Sequence, residues 1–218
     1  MKKLVCVFAH PDDESFGPGG TIALWSKKYE ITVICATAGE AGQHGPYSKR
    51  EIGNIRKKEL QRSAKILGVK KVIFLGFKDG ALCNANYHKL VEKAKEYIDK
   101  IKPDTLLTFE PRGVSGHIDH VTMSMVTSFI FERTNYIKSL YYYCLSEAKR
   151  DKFAGKYFIY VPPGYNNSEI DLTVDIKPVW KIKTKAMYTH NSQKHDADRV
   201  LSLTADLPKE EHFLVLKK

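Results

Sequence analysis

The chain has 218 residues, of which 43% are hydrophobic, 11% aromatic and 28% charged. This composition excludes an intrinsically disordered or low-complexity protein and indicates one globular domain that spans residues 1–218. The formal net charge is +10, yet 28 of the 35 basic residues are lysines scattered among acidic residues, so we expect no nucleic-acid partner.

Short β-rich segments alternate with longer amphipathic segments along the chain. The predicted strands are Leu4–Phe8, Ile31–Ala36, Lys71–Leu75, Thr105–Phe109, Ser139–Leu145, Tyr157–Val161, Leu172–Val174 and Phe213–Leu216. The predicted helices are Gly20–Lys28, Glu51–Leu67, Tyr87–Ile101, His120–Arg133 and Ile176–Thr189. This alternation is typical of a mainly parallel sheet covered by helices, so we predict an α/β fold with a Rossmann-like, three-layer α/β/α architecture.

The N-terminus begins like a secretory signal, with two lysines followed by the apolar segment Leu4–Ala9. That segment ends after six residues at His10, which is too short for the apolar region of a signal peptide. No apolar run approaches the ~20 residues that a membrane-spanning helix needs. Four widely spaced cysteines are present: Cys6, Cys35, Cys83 and Cys144. Such spacing indicates free thiols in a reducing compartment, and we expect a cytoplasmic protein.

The strongest chemical signal is His10-Pro11-Asp12-Asp13-Glu14, directly after the first predicted strand. Loops at the carboxyl ends of parallel strands form the binding crevice of such a sheet. An imidazole and a carboxylate three residues apart suit a divalent cation such as zinc, and the intervening carboxylate is then free to act as a base. The alternative is an Asx-type turn that caps the next helix. Adjacent carboxylates repel one another unless a cation lies among them, which favours the metal site.

A second signal, Gly116-His117-Ile118-Asp119-His120, follows the fourth predicted strand. His120 would complete a two-histidine, one-carboxylate set with His10 and Asp13, with a coordination position open for water and substrate. The alternative is a helix N-terminus at which Asp119 is the cap and the histidines are hydrogen-bonded within the protein. The presence of both signals at strand ends favours a metal centre.

Several segments, in chain order, resemble the PIG-L/LmbE-like zinc-dependent de-N-acetylases. Ala9 to Glu14 is similar to the A-H-P-D-D-E signature of that family, and residues 116–120 resemble its G-H-P-D-H motif, with Ile118 in place of proline. Weaker similarities are Thr37-Ala38-Gly39-Glu40, Arg56-Lys57-Lys58-Glu59, Leu67-Gly68-Val69, Phe77-Lys78-Asp79-Gly80, and Lys185-Ala186 with His190 and Ser192-Gln193. The resemblance extends from about residue 3 to residue 193.

This resemblance implies a hydrolase that removes the N-acetyl group from an N-acetylglucosamine-type sugar or its conjugate. It implies that zinc, or another divalent metal, is held by His10, Asp13 and His120. It also implies three catalytic residues: Asp12 as the general base toward zinc-bound water, His117 as a stabiliser of the oxyanion together with zinc, and Asp119 as the residue that orients an imidazole.

The resemblance places four further residues at the substrate: Glu40, Arg56, Asp79 and His190. Each also has a structural alternative. Arg56 would pair with Glu59 on a helix surface, Glu40 would be a solvated loop acid, and Asp79 would be a turn residue before a glycine. His190 would be a hydrogen-bonded histidine at an interface between elements.

Three other functions stay open at this point. A zinc-dependent hydrolase of another amide or of an ester would share the same metal constellation. A dinucleotide-binding oxidoreductase is suggested by Gly17-Pro18-Gly19-Gly20, although this segment lacks the G-x-G-x-x-G spacing and a helix-entry turn explains it better. A basic nucleic-acid-binding module would show steeply salt-dependent affinity. The expected partner is a small amino-sugar substrate, and a homo-oligomer is left open.

Overall fold

A seven-stranded sheet forms the centre of the protein in a computed structural model that describes residues 1–44, 47–156 and 160–218. The strands are β1 (Lys2–Phe8), β2 (Tyr29–Cys35), β3 (Lys71–Phe74), β4 (Thr105–Phe109), β5 (Ser139–Cys144), β6 (Leu172–Asp175) and β7 (Glu210–Lys217). Their order across the sheet is β3-β2-β1-β4-β5-β7-β6. The first five strands are parallel to one another, whereas β7 is antiparallel to both β5 and β6.

Helices follow most strands and cover the sheet. They are α1 (Asp13–Phe16), α2 (Gly19–Trp25), α3 (Ile52–Ile66), α4 (Tyr87–Ile101), α5 (Gly113–Gly116), α6 (Ile118–Glu132), α7 (Glu147–Phe153), α8 (Trp180–Thr189) and α9 (Lys194–Leu203). Short 3₁₀ turns at Lys177–Val179 and Asn191–Gln193 precede α8 and α9. None of the helices in the described ranges is long and apolar enough to cross a membrane.

The strands bury side chains on both faces because their sequences are nearly continuous apolar runs, as expected for a parallel sheet between helices. On one face, Leu4 and Phe8 of β1 pack in a cluster with Ile22 of α2. On the other face, Val5 and Val7 of β1 pack with residues of α4 and α6. Two separate cores therefore lie on opposite sides of one sheet, which confirms the predicted three-layer α/β/α architecture.

The element boundaries differ from the prediction mainly in the loop-rich parts of the chain. The predicted helix Gly20–Lys28 corresponds to α2, which begins at Gly19 and ends at Trp25, and the short helix α1 before it was not predicted. Helices α7 and α9 were not predicted. Residues 157–159 of the predicted strand Tyr157–Val161 lie outside the described residues. Of the free cysteines, Cys83 is exposed and the other three are buried.

The sheet order determines where the two signals meet. β1 and β4 are adjacent and parallel, with Leu4 opposite Thr105. The loops that leave their carboxyl ends are therefore neighbours, although more than 100 residues separate His10 from His120. These two loops carry the two histidine- and aspartate-rich motifs of the sequence.

Candidate metal and catalytic site

The loop after β1 is folded around the carboxylate of Asp13. Asp13 Oδ2 accepts hydrogen bonds from the backbone N–H groups of Ala9, at 3.1 Å, and His10, at 2.9 Å. Asp12 has a φ of 110°, in the left-handed region that non-glycine residues rarely adopt. Backbone strain of this kind concentrates at functional sites, where the surrounding structure maintains it.

Three side chains from the two loops place nitrogen and oxygen atoms around one point. His10 Nδ1 lies 3.1 Å from His120 Nε2, and His120 Nε2 lies 3.2 Å from Asp13 Oδ1. His10 Nδ1 is 3.8 Å from Asp13 Oδ2. Two ligands bound tetrahedrally to zinc at ~2.0–2.1 Å would be about 3.3 Å apart. The spacing of His10, Asp13 and His120 therefore fits a zinc-sized cation.

The remaining ring nitrogens of both histidines are held by the protein. His10 Nε2 lies 2.9 Å from Asp79 Oδ1 and 3.2 Å from Asp119 Oδ2. His120 Nδ1 lies 3.1 Å from the carbonyl oxygen of Gly113. Metal-binding histidines characteristically donate their second N–H to a carboxylate or a carbonyl, which fixes the tautomer. Asp119 thus contacts an imidazole, as the resemblance implied, and Asp79 shares this contact.

The carboxylates around His10 favour its charged form. Burial would lower the pKa of His10, but its contacts with Asp119 and Asp79 raise it to about 10, so a metal ion that binds Nδ1 must displace a proton. Burial would raise the pKa of Asp13, but His120 and His10 hold it well below its usual range. Asp13 is therefore an anion at neutral pH and can bind a cation.

Asp12, the predicted base, is held by Arg56 of α3. Arg56 Nη2 donates to Asp12 Oδ2 at 2.7 Å and also to the carbonyl oxygen of Pro11 at 2.7 Å, and Nη1 donates to that of Gly39 at 2.6 Å. Burial raises the pKa of Asp12 to about 6, although Arg56 opposes the shift. A carboxyl group with such a pKa is ionised at neutral pH and still basic enough to accept a proton.

Of the predicted substrate residues, Arg56 contacts Asp12, Asp79 contacts His10, and Glu40 contacts the backbone of Asp79. Asp79 Oδ2 accepts the backbone N–H of Ala41 at 2.8 Å, in addition to the contact of Oδ1 with His10. Glu40 Oε1 accepts the backbone N–H of Asp79 at 2.9 Å. The predicted surface pair of Arg56 with Glu59 does not form, since Arg56 contacts Asp12 and Glu59 accepts hydrogen bonds from Ser192.

His117 precedes α6 and faces the cluster. Its Nδ1 accepts the backbone N–H of Asp119 at 3.2 Å, so His117 rather than Asp119 caps the helix. This contact places the proton of the neutral ring on Nε2. Burial, together with His120 and His10, lowers the pKa of His117 below 6.5, so the ring is neutral at pH 7. A neutral imidazole with its proton on Nε2 is a hydrogen-bond donor.

His190 is not at the substrate cavity. Its side chain is fully buried, and Nε2 lies 2.8 Å from Glu14 Oε1. Ser63 donates to the same oxygen at 2.5 Å, and Glu14 Oε2 accepts the backbone N–H of Asp12 at 3.1 Å. The expectation that His190 touches substrate is therefore corrected: its burial behind the loop makes it a support for Glu14. No role for Glu14 was predicted, because its partners Ser63 and His190 lie 49 and 176 positions away along the chain.

A cavity of about 540 Å³ opens at this site. Among the residues that line it are Asp12, Phe16, Arg56, Asp79, His117 and Lys149. Lys149 belongs to α7, a helix that was not predicted, and no sequence motif surrounds this lysine. The cavity is large enough for a sugar with a substituent, since ligand pockets typically enclose ~300–1,000 Å³.

The glycine-containing segment after this loop does not form a phosphate cradle. A Cβ atom at Gly17 would lie 2.8 Å from both Asp13 O and the Phe109 ring. The first N–H groups of α2, from Gly20 and Thr21, donate to the buried carboxylate of Glu211 at 2.9 and 2.7 Å. The N-terminus of this helix therefore already has an anionic partner, which contradicts a dinucleotide site.

Comparison with known proteins agrees with this geometry. Residues 5–130 match the PIG-L family, GlcNAc-PI de-N-acetylase. A 1D-myo-inositol 2-acetamido-2-deoxy-alpha-D-glucopyranoside deacetylase from Saccharomonospora viridis is 28% identical, over 87% of this chain and 84% of the relative. A probable N-acetyl-alpha-D-glucosaminyl L-malate deacetylase 2 from Bacillus subtilis is 31% identical, over 88% of this chain and 84% of the relative. The N,N'-diacetylchitobiose deacetylase of Pyrococcus horikoshii shares the fold, with a TM-score of 0.74 and 22% identity, over 99% and 84% of the two chains.

Proposed function

The chain belongs to the PIG-L family of GlcNAc-PI de-N-acetylases, whose model matches more than half of its length. We therefore propose that the protein is a zinc-dependent deacetylase. Its substrate is an N-acetylglucosamine-type amino sugar or a conjugate of that sugar. The products are acetate and the free amine. Both relatives described above are named as deacetylases of such conjugates.

One observation carries this proposal: three ligand atoms from two distant loops converge, and a carboxylate that is not a ligand lies beside them. His10, Asp13 and His120 would hold the metal ion, because their free ring nitrogens and carboxylate oxygen all lie within 4.8 Å of one another. A divalent metal ion in such a site supplies Lewis acidity and lowers the pKa of water.

The residues around the cluster have separable tasks. Asp12 would accept a proton from the water that attacks the acetamide carbonyl, since its carboxylate is ionised at neutral pH and held in place by Arg56. His117 would donate a hydrogen bond from Nε2 to the oxygen that becomes negatively charged. Asp79 and Asp119 would keep His10 in the orientation that presents Nδ1 to the metal.

The amide-hydrolase assignment is favoured over an ester hydrolase because the named relatives act on acetamido sugars. A cytoplasmic location also stays a proposal, supported by the free thiols of Cys6, Cys35 and Cys144.

The proposal is tested by measuring metal content and acetate release with a panel of N-acetylglucosamine conjugates, with acetate esters as the comparison. We expect about one zinc per chain and faster release from the acetamides. Asp12→Asn should keep its zinc and lose activity by roughly 10²–10⁴-fold, the usual contribution of a general base. His120→Ala should lose both zinc and activity.

Lys58→Ser is a suitable control, because the side chain of Lys58 is exposed on α3. It should match the wild type in zinc content and rate. Full activity in Asp12→Asn would contradict the assigned base. Retention of one zinc per chain in both His120→Ala and Asp13→Ala would contradict the ligand set.

A further inference from the structure

The cavity at the metal-ligand cluster has two sides of opposite polarity, and the order of the strands separates them. The loops that carry the cluster follow β1 and β4, which lie between β2 and β3 on one side and β5 on the other. On the β2 and β3 side, the lining residues are small or polar: Ala41, Gly42, Gln43, Arg56, Asp79 and Gly80. On the β4 and β5 side, they are mainly apolar: Phe109, Val114, Tyr143, Leu145, Phe153 and Val161.

The apolar side begins directly beside a proposed metal ligand. The ring centroid of Phe109 lies 4.7 Å from that of His120 and 6.0 Å from that of Tyr143. Phe109 and Tyr143 belong to one hydrophobic cluster with Leu145 and Phe153, and all four side chains are buried. An apolar surface therefore extends from the His120 imidazole toward β5 and α7.

Backbone hydrogen bonds hold the two valines of this surface in place. Val114 has a φ of 62°, which is a genuine outlier for a β-branched residue. Its N–H donates to Oε1 of the buried Glu110 at 2.8 Å, and this bond maintains the unfavourable conformation. The carbonyl oxygen of Val161 accepts a hydrogen bond from Arg150 Nη2 of α7 at 3.1 Å. Strain of the kind seen at Val114 is concentrated at functional sites.

The polar atoms on this side have partners or lie close to the cluster. Lys149 Nζ donates to the phenol oxygen of Tyr143 at 2.9 Å and lies 5.6 Å from the centroid of that ring. Burial lowers the pKa of Lys149, and its methylene stem is apolar. The other polar lining residues here, Ser115 and His117, come shortly before the ligand His120 along the chain. The surface beyond them suits a hydrocarbon group.

The chemistry of an amide assigns a substrate group to each side of the cavity. The carbonyl carbon of an amide is planar, so the nitrogen and the acyl chain leave it in different directions. The sugar on the nitrogen carries hydroxyl groups, which are unfavourable to bury without hydrogen-bond partners. The β2 and β3 side offers such partners. The acyl chain then points toward the apolar side, where one acetyl methyl group would cover only a small part of a surface formed by six side chains.

We propose that the apolar side binds the acyl chain and accepts unbranched chains longer than acetyl, so that the protein also hydrolyses N-butanoyl amino sugars. This proposal rests on the deacetylase function proposed above and extends its substrate class. The reaction is the same: the oxygen of water bonds to the carbonyl carbon, the C–N bond breaks, and a proton passes to the nitrogen. The products are a carboxylate and the free amine.

The test uses methyl 2-acylamido-2-deoxy-α-D-glucosides that carry an acetyl, butanoyl or hexanoyl group. Release of the free amine is measured, because this product is the same for all three. Burial of one methylene group is equivalent to about a fourfold change in affinity. For the zinc-loaded wild type, we therefore expect kcat/KM to be about 10-fold higher for butanoyl than for acetyl, mainly through a lower KM.

Two substitutions of Val161 change the size of the apolar side in opposite directions. In Val161→Phe, the ratio of kcat/KM for butanoyl over acetyl should fall to about 1, because the larger ring occupies the space. In Val161→Ala, the ratio for hexanoyl over butanoyl should rise above the wild-type value. Val174→Phe is the matched control, because Val174 lies on the edge strand β6, which β7 separates from β5. It should keep both wild-type ratios.

Butyl 2-acetamido-2-deoxy-α-D-glucoside tests whether the sugar's aglycone binds there instead. If its gain over the methyl glucoside is as large as that of the butanoyl chain and is lost in Val161→Phe, the assignment to the acyl chain is overturned. A butanoyl-to-acetyl ratio at or below 1 in the wild type, or equal losses for both substrates in Val161→Phe, would also overturn it.

The outcome is distinguishable from a failure of the deacetylase function. If none of the glucosides is hydrolysed, that function fails with these substrates, and calorimetry with the zinc-loaded protein decides the inference. Tighter binding of the butanoyl than of the acetyl glucoside, lost in Val161→Phe, would support an apolar acyl site. Equal binding of the two would overturn it.

Discussion

At the scale of single residues, the guanidinium of Arg56 determines how the proposed base is presented. Arg56 is buried and donates to Asp12 and to two backbone carbonyl groups. Its path passes Gly39, where an added Cβ would lie 2.5 Å from the guanidinium. The small residue in this loop thus leaves room for the arginine. Arg56 acts on the reaction through Asp12, and we regard it as a positioning residue.

Replacing Arg56 by methionine should therefore lower kcat rather than the metal content. The expected loss is roughly 10–100-fold, since a displaced base loses part of the contribution of general-base catalysis. Steady-state kinetics would separate kcat from KM, and metal analysis would show about one zinc per chain. A variant with raised KM and wild-type kcat would instead indicate that Arg56 contacts the sugar.

Arg62→Met is the control for this substitution, because Arg62 is an exposed residue of the same helix, α3. Its kinetics should match those of the wild type. Arg56→Lys should fall between the wild type and Arg56→Met, since lysine retains the charge but not the planar set of donors.

The sequence predicted the candidate site best where histidines and aspartates directly follow a predicted strand. His10, Asp13 and His120 were predictable because two loops at strand ends carry them, and such loops meet at one edge of a parallel sheet. The partner of Arg56 was not predictable, since 44 positions separate it from Asp12. The same holds for His190, whose contact with Glu14 spans 176 positions. Contacts of this range depend on how helices pack, which periodicity does not specify.

At the scale of elements, β7 and α8 anchor the loop that carries the site. Lys183 of α8 donates to the carbonyl oxygen of Gly17 at 2.5 Å and lies 2.6 Å from Glu211 of β7. Glu211 also accepts the first N–H groups of α2. Burial would raise the pKa of Glu211, but Lys183 and Thr21 lower it below 4.5.

Glu211→Gln should destabilise the protein by ~3–5 kcal/mol at pH 7, because it leaves Lys183 buried without its anion. The pKa of Glu211 is lowered by folding, so its contribution is present above 4.5 and is lost as the pH falls through the lower folded value. The difference between wild type and variant should therefore shrink below about pH 4.5. Urea unfolding at several pH values measures it.

Glu210→Gln is the neighbouring control, and a change within ~0.5 kcal/mol is expected because the side chain of Glu210 is not buried. A constant difference between wild type and Glu211→Gln from pH 7 to pH 3 would contradict an ionised Glu211 in the folded protein.

Some strands and helices were predicted from the sequence and others were missed, and the difference follows from how many buried residues each one has. Strands β1, β2 and β4 are buried on both faces and read as apolar runs, and α4 has the predicted bounds because its apolar positions recur with helical spacing. Helices α7 and α9 are short, and each buries one residue, Phe153 and Ala197 respectively, so few buried positions mark them in the sequence.

At the scale of the whole molecule, the proposed metal ligands lie on two loops that are about 110 positions apart. An ion that binds only the folded protein stabilises it against unfolding. Zinc at 100 times its dissociation constant should add about 2.7 kcal/mol to the free energy of unfolding, and a chelator should remove that gain. Denaturant titrations with and without zinc provide the measurement.

His120→Ala is the matched variant, and zinc should leave its free energy of unfolding nearly constant. An equal gain in wild type and variant would indicate that the stabilising zinc binds elsewhere. The net charge of +10 has no assigned partner at this scale.

The position of β7 between β5 and β6 determines when, during synthesis, the loop after β1 can be anchored. β7 is the last strand along the chain, and its Glu211 holds Gly20 and Thr21, residues made 191 and 190 positions earlier. At a translation rate of ~5–20 residues per second, this interval lasts roughly 10–40 s. During that time the nascent chain contains the loop after β1 but not yet the Glu211 carboxylate that accepts hydrogen bonds from Gly20 and Thr21. Contacts of such long range also slow folding. The loop therefore reaches its final form only after nearly the whole chain has been translated.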